Sequence, residues 1–157
     1  MVGGYLLDTN IVTHLLDGYD TVLIECIAVV DERGLFVSAC TYYELLFGLT
    51  RRLMQTPSSK RLVEIRSRLQ QWSKDLNVVP FDAKAAAVAV KLNADLLQQG
   101  RVLQLPDMFI AAQAMANDMI LISHDRRAYE GLKTVGLLWE DWCVSRNRQQ
   151  TTDSGHF

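Results

Sequence analysis

Short apolar runs, each too brief for a helix and each separated from the next by a long helical stretch, constrain this chain more than any other feature. They are Leu6-Leu7, ending at Asp8; Leu35-Phe36-Val37-Ser38-Ala39; Asn77 to Phe81; and Met119-Ile120-Leu121-Ile122. None alternates apolar with polar residues, so each reads as a strand covered on both faces. The intervening residues read as helices over Asn10–Leu16, Thr21–Glu32, Tyr42–Met54, Lys60–Lys74, Ala83–Gln98 and Asp107–Ala116. Gly34 and Gly100 act as stops, and Pro57-Ser58-Ser59 separates two helices. Strands that alternate with helices imply an α/β domain with a mostly parallel sheet. Gly136 to Trp142 is expected to add a short edge strand, for four to five strands in all.

Length and composition set the bounds. The 157 residues, 49% of them hydrophobic, fit one domain over 1–144. A chain of that size buries roughly 70% of its unfolded surface, so its core needs no disulfide or metal staple. The polar segment 145–157 is expected to be loosely ordered. No apolar run approaches the roughly 20 residues that span a bilayer, and Met1-Val2-Gly3-Gly4 lacks the regions of a signal peptide. A cytoplasmic protein with no membrane partner is therefore expected. Cys26, Cys40 and Cys143 lie far apart without metal-ligand spacing, which disfavours a zinc or disulfide framework and leaves them as small apolar filler. A net charge of −2 neither demands nor forbids a nucleic-acid partner. Arg51-Arg52, Lys60-Arg61, Arg66, Arg68, Arg101 and Arg126-Arg127 can each serve phosphates or solvate a helix face.

In open α/β sheets, sites form outside the carboxyl ends of the strands. Asp8 and Asp125 stand at such ends, Glu44 follows the second strand, and Asp107 opens the helix that leads into the fourth. Asp107 reaches the same edge only if the loop before it folds back. Each acid also has a local reading. Thr41-Tyr42-Tyr43-Glu44 fits a capping box, Asp107 follows Pro106 at a helix start, and Asp8, Asp82 and Asp125 suit N-caps. Local grammar does not separate ligand from cap. The aromatics Tyr42, Tyr43 and Phe47 either stack on bases or pack, with packing in a core or dimer interface favoured; Trp139 and Trp142 are read as packing residues.

Whole segments carry more information. Leu6-Leu7-Asp8-Thr9-Asn10-Ile11 resembles the opening motif of the PIN-domain nucleases, and Thr41-Tyr42-Tyr43-Glu44-Leu45-Leu46-Phe47-Gly48 their second. Asp107-Met108-Phe109-Ile110-Ala111-Ala112-Gln113-Ala114 is similar to the third, D-x-x-I-A-A-x-A. Ile120-Leu121-Ile122-Ser123-His124-Asp125, followed by Tyr129, is similar to the last. Gly136-Leu137-Leu138-Trp139-Glu140-Asp141-Trp142 resembles the closing segment of VapC-type toxins. The motifs occur in order over about Leu6 to Trp142. His124 falls where the family varies, Tyr129 replaces a frequent phenylalanine, and Asp95 matches an acidic position in some relatives.

The resemblance implies a three-layer α/β/α PIN-like fold and an endoribonuclease dependent on Mg²⁺ or Mn²⁺, yielding 5′-phosphate and 3′-hydroxyl ends. Asp8, Glu44, Asp107 and Asp125 would be catalytic; Asp8, Asp107 and Asp125 would hold the metal, and Glu44 would orient water or add a ligand. Thr9, Asn10 and Ser123 would fix the carboxylates by hydrogen bonds. Two carboxylates 4 Å apart repel by about 4 kcal/mol at an effective dielectric near 20, so gathering several favours a hard cation. The VapC likeness also implies an RNA substrate, a cognate antitoxin and a homodimer. Within the family the alternatives are an RNA-processing nuclease outside a toxin system and a catalytically silent RNA- or protein-binding module. An aspartyl-phosphate receiver or phosphatase ranks low, because Asp8-Thr9-Asn10 lacks D-x-D and no strand-end lysine is present.

Overall fold

The structure, a computed structural model, describes residues 2–18, 21–30, 34–75 and 77–143. Its elements are β1 (Tyr5–Leu7), α1 (Thr9–Asp17), α2 (Thr21–Ala28), β2 (Leu35–Ser38), α3 (Ala39–Gln55), α4 (Lys60–Asp75) and β3 (Asn77–Val79). They continue with α5 (Ala83–Gln98), α6 (Leu105–Ala116), β4 (Ile120–Ile122), α7 (Arg126–Tyr129), a 3-10 stretch over Glu130–Val135, and β5 (Trp139–Glu140). The strands form one parallel sheet in the order β3-β2-β1-β4-β5. In register, Leu7 lies between Val37 and Ile122.

Because successive strand side chains point to opposite faces, neighbouring residues of one strand enter different cores. Leu6 and Leu121 join Leu92 and Leu96 of α5, Ile110 of α6 and Trp139. Leu7, Val37 and Ile122 pack with Ile11 of α1, Leu45 and Leu49 of α3, and Leu62, Ile65 and Leu69 of α4, together with Trp142. The result is a three-layer α/β/α sandwich. Helix α6 is enclosed most fully, since Ala111, Ala112 and Ala114 are all inaccessible and let α5 and the sheet approach closely.

Several boundaries differ from the sequence reading. Helix α3 begins at Ala39 rather than Tyr42, because Ser38 is its cap and accepts the Thr41 N–H at 2.8 Å. The Thr41–Glu44 capping box therefore does not form, and Glu44 lies beyond the first helical turn. Strand β3 stops at Val79, before Pro80, which lacks the N–H a ladder needs. Helix α6 starts at Leu105, with Pro106 in its first turn. Helix α2 is assigned only to Ala28, and part of the expected Thr21–Glu32 helix lies outside the described residues. The edge strand is confined to Trp139–Glu140, while α7 and the 3-10 stretch after Asp125 had no counterpart in the sequence reading. The expectation for 145–157 lies outside the described residues. Among the described residues, no helix is long and apolar enough to cross a membrane.

Candidate active site

From β1 the sheet extends through β2 on one side, and from β4 through β5 on the other. A crevice opens at the carboxyl ends of two strands whose connections diverge in this way. Asp8 directly follows β1, and its N–H donates to the Ile122 carbonyl of β4 at 2.9 Å, which carries the ladder into the site. Its carboxylate is held from three directions. Oδ1 accepts the Thr9 N–H at 2.7 Å; Oδ2 accepts the Ser123 hydroxyl at 2.7 Å and the Asn10 side-chain amide at 3.2 Å. Asn10 also donates to Ser123 Oγ and, through Oδ1, accepts the His124 N–H. Ser123 Oγ accepts the Asp125 N–H at 3.0 Å. One network thus ties the start of α1 to the turn after β4.

The other acids arrive on three further elements. Glu44, on α3, accepts the Thr9 hydroxyl through Oε2. Asp107, in the first turn of α6, accepts the Tyr129 hydroxyl at 3.3 Å, a long bond by O–H···O standards. Asp125 caps α7 by accepting the Ala128 N–H at 3.0 Å. Asp8 and Asp125 are therefore helix caps as well as members of this group of acids. Asp82 caps α5 through the Ala85 N–H, away from this group, as its local sequence implied.

Their charges are felt mutually. Burial pushes the Asp8 carboxyl up from 3.8 to about 6, and the negative charges of Asp107 and Glu44 add to the rise against the lowering bonds from Ser123 and Thr9. Asp107 is raised as well, chiefly by burial, then by Asp125 and Glu44, with the Tyr129 bond opposing. Cys40 is pushed up to about 11 by burial and by Glu44, Asp107 and Asp8, so it stays a neutral thiol at the rim. Burial and the charges of Asp8 and Asp107 keep the Tyr129 phenol neutral.

An all-oxygen, acidic donor set, in which burial and neighbouring charges drive Asp8 and Asp107 toward protonation, fits a hard divalent cation. Among the described residues, no three of these acids bring oxygens within 4.8 Å of one another. Beside the acids lies a cleft of about 490 Å³ whose lining includes Arg101, Gln104, Asp107, Asp125 and Arg127. Arg101 reaches it by donating to the Gly131 carbonyl at 2.9 Å; a Cβ on Gly131 would collide with that guanidinium. Of the basic residues singled out in the sequence, Arg101 and Arg127 line this cleft. Arg61, Arg68 and Arg126 instead pair with Asp17, Glu64 and Glu130.

Sequence reasoning assigned no specific place in the site to two residues near it. Tyr129 stands where phenylalanine is frequent, a mild change in sequence terms, yet its hydroxyl contacts Asp107; a phenol beside a motif rich in acids is the available signal. Arg101 stood among many arginines, and only the return of the 101–104 segment to the sheet edge singles it out. Tyr42 packs against the core, but Tyr43 and Phe47 are exposed and stack on each other at 5.8 Å, so core packing is corrected for those two. Trp139 and Trp142 are buried, as expected, and Asp95 is half-buried on α5.

Comparison with known proteins adds an independent line. The PIN domain family model matches residues 5–131. The chain is 26% identical over 138 residues to the tRNA(fMet)-specific endonuclease VapC of Shigella flexneri, covering 88% of this chain and 97% of that protein. It is 30% identical over 129 residues to the VapC ribonuclease Y4jK of Sinorhizobium fredii, covering 80% and 89%. Its fold matches that in the crystal structure of VapBC2 from Rickettsia felis bound to a promoter DNA fragment, with TM-score 0.74 and 22% identity over 90% of this chain and 99% of that one. It also matches VapBC-1 from nontypeable Haemophilus influenzae, with TM-score 0.71 and 24% identity over 90% and 98%.

Proposed function

The chain belongs to the PIN domain family, and from that premise we propose that it is a divalent-metal-dependent endoribonuclease, the toxin of a VapBC-type pair. The observation that carries this reading is the meeting of Asp8, Glu44, Asp107 and Asp125 at one sheet edge, beside a cleft lined by Arg101 and Arg127. Relatives named as VapC ribonucleases support the activity, and solved VapBC complexes of the same fold support the pairing.

Asp8, Asp107 and Asp125 would hold Mg²⁺ or Mn²⁺, directly or through water. When bound, the ion offsets carboxylate repulsion, polarises the scissile phosphate and acidifies a water molecule. The chain's own groups do the rest. Thr9, Asn10 and Ser123 fix the Asp8 carboxylate, and the Tyr129 hydroxyl aims Asp107. Glu44, anchored through Oε2 by Thr9, has Oε1 to take a proton from the attacking water. Arg101 and Arg127 bind the phosphates flanking the cut, which resists the repulsion an acidic pocket exerts on RNA. Attack in line with the O3′ leaving group yields a 5′-phosphate and a 3′-hydroxyl. In the cytoplasm the partners would be RNA, a cognate antitoxin and a second copy of the chain; the exposed Tyr43–Phe47 stack next to Glu44 supports an assembly face there.

Asp8→Asn should nearly abolish Mg²⁺-dependent RNA cleavage with the circular dichroism spectrum unchanged, and should relieve growth arrest when the chain is expressed alone in bacteria. Wild-type cleavage by that variant would overturn the assignment. A folded wild-type chain that cleaves no RNA with either ion would identify a silent binding module instead.

A further inference from the structure

A second cluster of ligand-type side chains gathers around the turn that follows β4. His124, from that turn, places Nδ1 at 3.0 Å from Oδ2 of Asp141, which follows β5. His124, Asp141 and Cys143 each offer a donor atom, and the three lie within 4.8 Å of one another. Cys143 Sγ is also 3.8 Å from Nδ1 of His14 on α1, and the two imidazole rings are 6.2 Å apart between centroids. We propose that His14, His124, Asp141 and Cys143 form a second metal site, of a different class from the acid site, which takes Zn²⁺ in tetrahedral coordination.

The donor chemistry selects the ion. Two imidazoles, a thiolate and a carboxylate form a borderline-soft set that suits zinc, whereas Mg²⁺ and Ca²⁺ want oxygen alone. Zinc bonds of about 2.0–2.3 Å in a tetrahedron put ligand atoms roughly 3.3–3.8 Å apart. The His124–Asp141 and His14–Cys143 separations of 3.0 Å and 3.8 Å bracket that range; His124, Asp141 and Cys143 already gather their donor atoms within 4.8 Å, and His14 would swing toward them to complete the shell. Asp141 is only 8% exposed at its side chain, and its Oδ1 is steadied by the Cys143 N–H at 2.9 Å. Linear spacing concealed the group, since His14 and Cys143 are 129 positions apart.

The site joins elements that also serve the acids. His124 sits between Ser123 and Asp125, and its N–H donates to Asn10; His14 shares α1 with Thr9 and Asn10. Zinc here would clamp the turn after β4 to α1 and to the end of β5, holding Ser123 and Asp125 in register without touching substrate.

The test uses reduced, demetallated full-length chain in excess Mg²⁺, titrated with Co²⁺ as a spectroscopic stand-in for Zn²⁺. One equivalent of Co²⁺ should produce intense tetrahedral visible bands and a sulfur-to-cobalt charge-transfer band, both removed by stoichiometric Zn²⁺. Cys143→Ser should abolish the charge-transfer band, and His14→Ala should weaken Co²⁺ binding by about tenfold or more; Asp107→Asn should leave the spectrum unchanged. Circular dichroism checks that each variant is folded, and Zn²⁺ should raise the melting temperature of the wild type but not of Cys143→Ser. Weak octahedral bands in the wild type would overturn the proposal. So would a charge-transfer band that survives in Cys143→Ser, which would trace it to Cys26 or Cys40.

Discussion

Asp8 ought to destabilise the metal-free fold, and replacing it with asparagine isolates the effect. The residue is 4% exposed, so solvent screens its charge little. A rise from 3.8 to about 6 corresponds to about 3 kcal/mol of preference for the protonated folded state. An acid raised in this way contributes its stabilising share fully below its unfolded value. That share is lost as pH climbs through the folded value, at about 1.4 kcal/mol per pH unit between the two. Asparagine carries no charge to bury, but it supplies one acceptor oxygen where Asp8 uses two. Its amide would face the Asn10 donor, at a cost of about 1–2 kcal/mol. At pH 8 with chelator, Asp8→Asn should therefore be more stable than wild type by about 1–2 kcal/mol, or roughly 3–6 °C in melting temperature. At pH 4, where wild-type Asp8 keeps its proton, the advantage should vanish or reverse. Urea denaturation from pH 4 to 8, with and without Mg²⁺, measures this directly. A variant less stable than wild type at pH 8, or an advantage independent of pH, would refute the view that this carboxylate is strained by burial.

Three further outcomes are expected. Binding of Mg²⁺ should release about half a proton from Asp8 near pH 6 and almost none at pH 8, because the ion selects ionised Asp8; calorimetry in buffers of different ionisation heat counts it, and no release at pH 6 would contradict the assignment. Tyr129→Phe should cost about 1 kcal/mol of stability, and should shift the acidic limb of the cleavage profile to higher pH, because the lost hydroxyl was lowering the Asp107 pKa. Arg101→Ala should raise KM for RNA more than it lowers kcat and should reduce the salt slope of binding by about 0.7. Gly131→Ala, which crowds the same guanidinium, should move both in the same direction.

Layer architecture was readable from residues because the strands are uniformly apolar; the two cores separate at Leu6 and Leu7 as strand geometry demands. Boundaries were less readable where two residues compete for one role. Ser38 and Thr41 are both good caps, and the contest was settled by where β2 stops pairing with β3 at Ser38 and Val79, a tertiary fact. The acids Asp8 and Asp125 were visible because they closely follow the apolar runs of β1 and β4. Asp107 needed the 101–104 segment to return to the sheet edge, and no periodicity encodes that path. Tyr129 illustrates the opposite limit, since its role depends on one hydroxyl meeting an acid on another helix.

The polar network explains why an unfavourable group of charges can be kept in place. Asp8 is held by Thr9, Asn10 and Ser123, and each of these has a second attachment: Thr9 to Glu44, Asn10 to His124, Ser123 to Asp125. Removing Thr9 or Ser123 therefore loosens two acid-bearing residues at once, and removing Asn10 loosens Asp8 and the turn at His124, so paired substitutions in this network should couple rather than add. In a double-mutant cycle, Ser123→Ala and Asn10→Ala should lose less Mg²⁺ affinity together than the sum of their single losses, because the two share Asp8 Oδ2 and are bonded to each other, so loss of either loosens the other's hold on that oxygen. Strict additivity would mean that each residue acts on its own and that the shared carboxylate is not the point through which they work.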